Sequence, residues 1–84
     1  MNNTEKGKQM LEEVALRYAE GHGLRPTVEW VDQGYEWLLR LNTDEHTVRV
    51  GFSIDEIEFF VDGSAEENRD TKMKIRNAFA SLSM

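Results

Sequence analysis

The amino-acid sequence predicts an α+β domain in which a three-stranded antiparallel β-meander carries an N-terminal and a C-terminal helix packed on one face. Segment 27–52 contains three runs of alternating apolar and polar residues separated by turn-like breaks, the pattern of a sheet covered on one side only. The segments before and after it repeat apolar residues at helical spacing. Because 84 residues leave room for one core, we expect a single domain over 1–84, with residues 1–4 frayed.

The first helix is predicted to begin after Asn3 or Thr4, either of which can cap free backbone N–H groups. The helix is expected to end at Gly21-His22-Gly23, since glycine tolerates the left-handed backbone found at helix C-termini. Gly7 is expected to weaken the first turn and let it fray. The buried stripe is formed by apolar residues at helical spacing, namely Leu11, Val14, Ala15 and Tyr18.

The three predicted strands have an apolar inner face and a mixed outer face. Pro26 lacks an N–H and is typical of a sheet edge, which makes the first strand an edge strand. The inner face is predicted to contain Val28, Trp30, Tyr35, Trp37, Leu39, Leu41, Val48, Val50 and Phe52. The outer face is predicted to contain Thr27, Glu29, Val31, Glu36, Leu38, Arg40, Thr47, Arg49 and Gly51.

The register of the first hairpin follows from this alternation. A two-residue loop at Gln33-Gly34 places Trp30 opposite Trp37 and Val28 opposite Leu39. Glycine at the second loop position also suits the turns that hairpins prefer.

The second hairpin has two possible loops. A two-residue loop would set Arg40 directly opposite Arg49, and like charges in such a pair are destabilising. A four-residue loop over 42–45 avoids this pair and places Leu41 opposite His46. We therefore predict the longer loop.

Residues 53–62 fit two structures. Ser53 and Glu56 form the pattern of a capping box, which predicts a short helix. Apolar residues that alternate over 56–61 would instead suit a fourth strand. We favour the helix, because no good turn precedes Glu56. Its apolar residues are then Ile54, Ile57 and Val61.

The last helix is predicted from about Ala65 to Leu82. Ser64 and Glu67 form a second capping-box pattern at its start. Its buried stripe is Ile75, Ala78, Phe79 and Leu82.

The charge and cysteine content restrict the classes of function. Ten basic and 16 acidic residues give a net charge of −6, which disfavours binding to nucleic acid or to an anionic membrane. The chain has no cysteine, so it has neither disulfides nor thiolate ligands and suits a reducing compartment. It shows neither a membrane-spanning apolar run nor a signal peptide, and we expect a cytoplasmic protein.

The order of helix, three-stranded meander and helix resembles that of the double-stranded RNA-binding domain. In that family a basic cluster at the start of the last helix meets phosphates, whereas this chain has Ala65-Glu66-Glu67 there. That departure removes the contacts that supply affinity for RNA. The resemblance therefore extends to topology, and no nucleic-acid partner is expected.

No residue pattern in the sequence predicts catalysis, a metal ion or a cofactor. The two histidines, His22 and His46, lack a closely spaced second ligand. The carboxylates fall at predicted turns, caps and exposed helix faces, where they lack the burial that shifts the pKa of a general acid or base. Neither a nucleophile motif nor a glycine-rich phosphate loop is present.

These exclusions favour a small non-catalytic protein-interaction module, either self-associating or bound to a protein partner through the outer sheet face or an edge. The predicted surface is Glu29, Val31, Glu36, Leu38, Arg40, Arg49 and Phe60. The alternative is an acidic inhibitor or nucleic-acid mimic that occupies a basic groove on its target. A small-ligand binder or enzyme is the third possibility.

Overall fold

The computed structural model of the protein describes residues 3–63, 66 and 68–80. Its three strands form one antiparallel sheet in the order β1-β2-β3, so β1 is an edge strand as predicted. The mixed α+β architecture and the order of its elements confirm the predicted fold class. The elements are α1 (Asn3–Gly21), β1 (Thr27–Asp32), β2 (Trp37–Asn42), β3 (Thr47–Phe52), α2 (Ile54–Asp62) and α3 (Arg69–Ala80).

Helix α1 starts at the first described residue, so residues 3 and 4 of the predicted frayed segment are helical. Its C-terminus is a Schellman turn, in which the Leu24 N–H donates to the Ala19 carbonyl at 2.8 Å. Gly23 has φ +74°, the left-handed conformation that favours glycine. The end predicted at Gly21-His22-Gly23 is thereby confirmed, and the chain turns back so that Leu24 packs on the core.

The β1–β2 hairpin keeps the predicted faces but has a register shifted by two residues. Trp30 lies opposite Leu39, so the predicted pairing with Trp37 is wrong. The turn forms later than predicted because Gly34, at φ +89°, donates its N–H to Asp32 Oδ1 at 2.8 Å. Since the shift is even, the paired strand residues stay on their predicted faces.

The β2–β3 hairpin adopts the register that the sequence disfavoured. Arg40 lies directly opposite Arg49, so the longer predicted loop is wrong. The shorter loop is closed by three bonds between Thr43 and His46. The Thr43 N–H and hydroxyl donate to the His46 carbonyl at 2.8 and 3.1 Å, and the His46 N–H donates to the Thr43 hydroxyl at 2.9 Å. The repulsion between Arg40 and Arg49 is offset on the β1 side of Arg40, where Arg40 forms an ion pair with Glu29.

The core lies between the inner face of the sheet and the helices. Trp30 and Trp37 are half-buried against it. Tyr35 is 79% exposed, so its predicted place on the inner face is wrong, because the shifted register leaves it in the hairpin loop. The buried apolar residues are Leu11, Ala15, Ala19, Leu39, Leu41, Val48, Val50, Phe52, Ile57, Phe60, Ile75 and Phe79.

Helix α2 forms where a fourth strand was the alternative, so that alternative is wrong. The Glu56 N–H donates to Ser53 Oγ at 3.1 Å, and the Ser53 N–H donates to Glu56 Oε1 at 3.0 Å, which confirms the predicted capping box. The helix buries Ile57 and Phe60, one turn apart. Ile54, which the sequence grouped with Ile57 among the apolar residues of this helix, is 44% exposed.

Helix α3 buries Ile75 and Phe79, as its predicted stripe requires. Ala78 of the same stripe is half-buried against the core. Helix α3 begins at Arg69, so the predicted start at about Ala65 is wrong, and the described residues 66 and 68 before it lie in turns. The predicted end at Leu82 and the second capping box of Ser64 and Glu67 lie outside the described residues.

Asn68 joins α3 to α2. Its side chain is buried, and its Nδ2 donates to the Phe60 carbonyl at 3.0 Å and to the Gly63 carbonyl at 3.4 Å. These bonds satisfy carbonyls at the end of α2 that have no partner within the helix. No pattern in the sequence distinguished Asn68 from the other polar residues.

Gly7 allows α1 to pack closely on α2. A Cβ at this position would lie 2.2 Å from the Ile57 carbonyl oxygen and 2.7 Å from Ile57 Cγ2. The sequence interpretation counted only the helix-weakening effect of Gly7, whereas in the structure its small size permits the helix contact.

We predict that Gly7→Ala lowers the free energy of unfolding by about 1–3 kcal/mol, because the overpacking outweighs the gain in helix propensity. Gly21→Ala is the matched control, since a Cβ there meets nothing within 4 Å. It should leave stability unchanged or raise it by up to about 1 kcal/mol. Urea unfolding of both variants checks this, and equal effects of the two substitutions would contradict the role of Gly7.

Candidate interaction surface

The outer face of the sheet consists of three rows that cross all strands. The first row is polar, with Thr27, Asn42 and Thr47 side by side. The second is charged, with Glu29, Arg40 and Arg49. The third is apolar or small, with Val31, Leu38 and Gly51. The register therefore brings together five of the seven residues of the predicted surface.

The charged row is partly neutralised within the chain. Arg40 Nη1 lies 3.3 Å from Glu29 Oε1, and both side chains are more than a third exposed. Arg49 is exposed and has no ion pair among the described residues. Arg40 Nε is buried and has no hydrogen-bond partner in the described part of the chain, a state that is costly for a donor.

The third row is the apolar part of the outer face. Val31 and Leu38 lie opposite each other and are half-buried. Glu36 is the sixth predicted residue on this face, and its carboxylate covers Gly51, where a Cβ would lie 3.0 Å from Glu36 Oε2. The outer face thus has equal numbers of acidic and basic residues around two aliphatic side chains, in a chain whose net charge is −6.

Phe60 is not part of this surface. It is 3% exposed and belongs to the core, so its assignment to the interaction surface is wrong. Its neighbour Phe59 is 54% exposed. Successive residues of a helix point about 100° apart, and α2 turns Phe60 inward beside Ile57. The helical spacing of Ile57 and Phe60 was the signal that could have distinguished the two phenylalanines.

The backbone of β1 presents an unpaired edge. The Gln33 N–H donates to the Glu36 carbonyl at 2.9 Å, and hydrogen-bonded pairs alternate along antiparallel strands. The N–H and C=O groups of Val28, Trp30 and Asp32 therefore point away from β2. Within the part of the chain that the structure describes, these groups have no partner, and we call them the β1 edge.

The opposite edge, on β3, is partly blocked. By the same alternation the groups of Thr47, Arg49 and Gly51 point outward. The Gly51 carbonyl accepts a hydrogen bond from Lys74 Nζ at 2.9 Å. Lys74 also lies 3.0 Å from Glu56 Oε2, so side chains of α2 and α3 close the C-terminal end of this edge.

The tryptophans of the inner face are held by α1. Lys8 Nζ lies 3.1 Å from the ring centroid of Trp37 and 5.8 Å from that of Trp30. Trp30 Nε1 donates to Glu12 Oε1 at 3.2 Å. Glu12, a carboxylate of the kind that the sequence assigned to exposed helix faces, thus contacts the sheet.

Other types of site have weaker support in the structure. Among residues 3–63, 66 and 68–80, no three His, Asp or Glu side chains come together as metal ligands. None of the described helices is long and apolar enough to cross a membrane. The open cleft between segment 23–27 and the β2–β3 loop has a volume of about 600 Å³ and is lined mainly by polar residues.

Comparison of the chain with models of protein families, with curated proteins and with solved structures found no match.

At the junction between β3 and α2, the pKa of the Glu56 carboxyl is lowered. Partial burial by itself raises the pKa of Glu56, but the Ser53 N–H and the Lys74 ammonium outweigh it and hold that pKa below its usual value. The helix cap and the ion pair account for this shift, so it indicates a structural role for Glu56.

We predict that this junction makes stability depend on pH. A carboxyl whose pKa is lower when folded stabilises the fold above its unfolded pKa, about 4.3, and the contribution is lost as the pH falls through the folded pKa. Glu56→Gln should therefore be less stable than the wild type at pH 7 by about 0.5 kcal/mol, the size of a half-exposed ion pair. The difference should disappear in acid.

Urea unfolding of both proteins between about pH 7 and pH 3 measures this difference. Lys74→Met, which removes the ammonium and keeps an unbranched side chain, should flatten the pH dependence in the same way. Parallel stability curves for the wild type and Glu56→Gln would contradict the assignment.

Proposed function

We propose that this protein is a non-catalytic protein-interaction module that self-associates through the open side of its sheet, meaning the outer face together with the β1 edge. The observation that supports it is the absence of any described helix over that side, while all three helices contribute to the core under the inner face. A sheet with one free face and a free edge is a template for another chain.

The charge of the outer face suits self-association. Its two acidic and two basic residues, Glu29, Glu36, Arg40 and Arg49, sum to zero, so two copies can meet without local repulsion. A face that bears both signs can also be self-complementary about a two-fold axis. The half-buried Val31 and Leu38 supply apolar area beside these charges.

The size of the outer face limits the strength of a contact that uses this face alone. Three strands about 4.8 Å apart, with six residues that rise about 3.3 Å each, cover roughly 300 Å². A stable protein interface buries about 800 Å² on each partner. Association through the open side should therefore be weak or should recruit the β1 edge as well.

We predict a monomer–dimer equilibrium with a dissociation constant between about 10 μM and 1 mM. Light scattering after size exclusion, over a series of loading concentrations, measures it. Val31→Glu should abolish the dimer, because Val31 belongs both to the apolar row and to the β1 strand. Phe59→Glu is the matched control, with the same charge change on α2. A strict monomer at all concentrations would contradict the proposal.

The second candidate is the acidic inhibitor or nucleic-acid mimic, and the exposed side of α2 supports it. Asp55, Glu58 and Asp62 lie there around Phe59, which is 54% exposed. The helix has no basic residue. An acidic surface with an exposed aromatic ring suits a basic partner with an apolar contact.

For this candidate, we predict that binding to poly-L-lysine depends on where acidic residues are removed. Asp55→Asn, Glu58→Gln and Asp62→Asn together should weaken binding several-fold more than Glu13→Gln, Asp44→Asn and Glu45→Gln together. Both triple variants change the net charge equally, so general attraction to a polycation affects them alike. Titration by calorimetry compares them, and equal losses would exclude a special role for α2.

A further inference from the structure

We infer that the occupant of the β1 edge is a second copy of this chain, whose β1 pairs antiparallel with the first about a two-fold axis at Trp30. The result would be a continuous six-stranded sheet. This inference rests on the proposed self-association and specifies which part of the open side forms the seam.

The β1 edge is the better of the two edges for strand addition. The groups of Val28, Trp30 and Asp32 are all free of partners within the described residues. On β3, the Gly51 carbonyl is occupied by Lys74. A strand that pairs along all of β3 would have to displace the Lys74 bond to Gly51, whereas no hydrogen bond among the described residues occupies the outward groups of β1.

Hydrogen-bond alternation restricts where the two-fold axis can lie. Two β1 strands can pair only if outward-pointing residues face outward-pointing residues. An axis at Trp30 meets this condition for all three outward-pointing residues of β1. Trp30 then lies opposite Trp30 of the second copy, and Val28 lies opposite Asp32 of the second copy. This arrangement forms about six backbone hydrogen bonds across the seam.

The two neighbouring axes are worse for separate reasons. An axis at Glu29 would set the two Glu29 carboxylates directly opposite each other, a destabilising like-charge pair. An axis at Val31 would bring Val28 against Gly34 of the second copy, whose N–H is already used by Asp32 Oδ1 at 2.8 Å. The axis at Trp30 leaves neither an opposed charge pair nor an unpaired edge group.

The acidic side chains of β1 near the seam already have polar partners within each copy. Glu29 lies 3.3 Å from Arg40, and Asp32 accepts the Gly34 N–H. The remaining opposition comes from the net charge of −6 on each copy, a long-range term that salt screens over about 10 Å at 0.1 M. Added salt should therefore strengthen the dimer, whereas it would weaken a complex with a basic partner.

Joining the two β1 edges also enlarges the outer face. The combined sheet would offer roughly 600 Å², twice the area of one copy. On the inner side the two half-buried Trp30 rings would meet across the seam, and cross-strand aromatic pairs stabilise sheets. Dimer formation would thus create an outer face large enough to approach a standard protein interface.

The absence of cysteine from the sequence allows a direct test by cross-linking. With the axis at Trp30, Glu29 lies opposite Val31 of the second copy in a non-hydrogen-bonded pair, with Cα atoms about 4.5 Å apart. This is within the range that a disulfide spans. Glu29→Cys and Val31→Cys proteins, oxidised as an equimolar mixture, should form the mixed disulfide dimer in at least about tenfold excess over either protein alone.

Thr47→Cys mixed with Arg49→Cys is the matched control, with the same spacing on the outer face of the other edge strand. It should cross-link no better than either protein alone. Preferential cross-linking of the control pair would overturn the choice of edge. Preferential cross-linking of Val31→Cys with itself would place the axis at Val31 and overturn the proposed register.

A second pair of variants tests the edge without cysteine. Val28→Pro removes an outward N–H from β1, and Thr47→Pro removes one from β3, so neither removes a ladder bond of the sheet. Val28→Pro should raise the dissociation constant of the dimer at least about tenfold, and Thr47→Pro less than about threefold. Far-UV circular dichroism verifies that each variant is folded. If either variant does not fold, the cross-linking result alone tests the choice of edge.

The outcomes separate this inference from the proposed function. A dimer that resists Val28→Pro and shows no mixed cross-link, but is lost in Leu38→Glu, would mean that the outer faces meet directly. Self-association would then stand while the edge seam would be overturned. A protein that remains a monomer at every concentration and salt level would overturn both.

Discussion

Burial of only one face of the sheet is the constraint on which the rest of the structure depends. The described helices form one layer, and most inner residues of β2 and β3, among them Leu39, Val50 and Phe52, are almost fully buried beneath it. A sheet of this kind keeps a single core and leaves its other face with side chains that satisfy one another only in part. The ion pair of Arg40 with Glu29, and the lack of a hydrogen-bond partner for Arg40 Nε among the described residues, are both consequences of that arrangement.

The two ends of the sheet differ because the chain leaves it at β3. The capping box at Ser53 starts α2 directly after the last strand, and Lys74 of α3 binds both the cap residue Glu56 and the Gly51 carbonyl. The Gly51 carbonyl of β3 is thereby tied to the helical layer, while the backbone groups of Val28, Trp30 and Asp32 on β1 are left facing outward. One contact network thus stabilises the fold and also determines which edge is open.

Sequence patterns predicted local features well and pairwise partners poorly. Alternation with period two assigned nearly every strand residue to its face, and the rule survives any even shift in register. The register itself was wrong in both hairpins, because it depends on small differences between turns. Asp32 accepts the Gly34 N–H, and Glu29 offsets the repulsion between Arg40 and Arg49. The first is a local turn between residues two apart, whereas the second becomes visible only when the strands are placed side by side.

By itself the sequence determined the order of elements, the C-terminal end of α1, the capping box of α2 and the composition of the outer face, since each depends on residues close together along the chain. Only the tertiary structure decided that Gly7 and Asn68 join the helices, and that among the described residues the edge of β1 is open while that of β3 is partly closed. These features arise from contacts between residues far apart in sequence, whose energies depend on distances that no local pattern encodes.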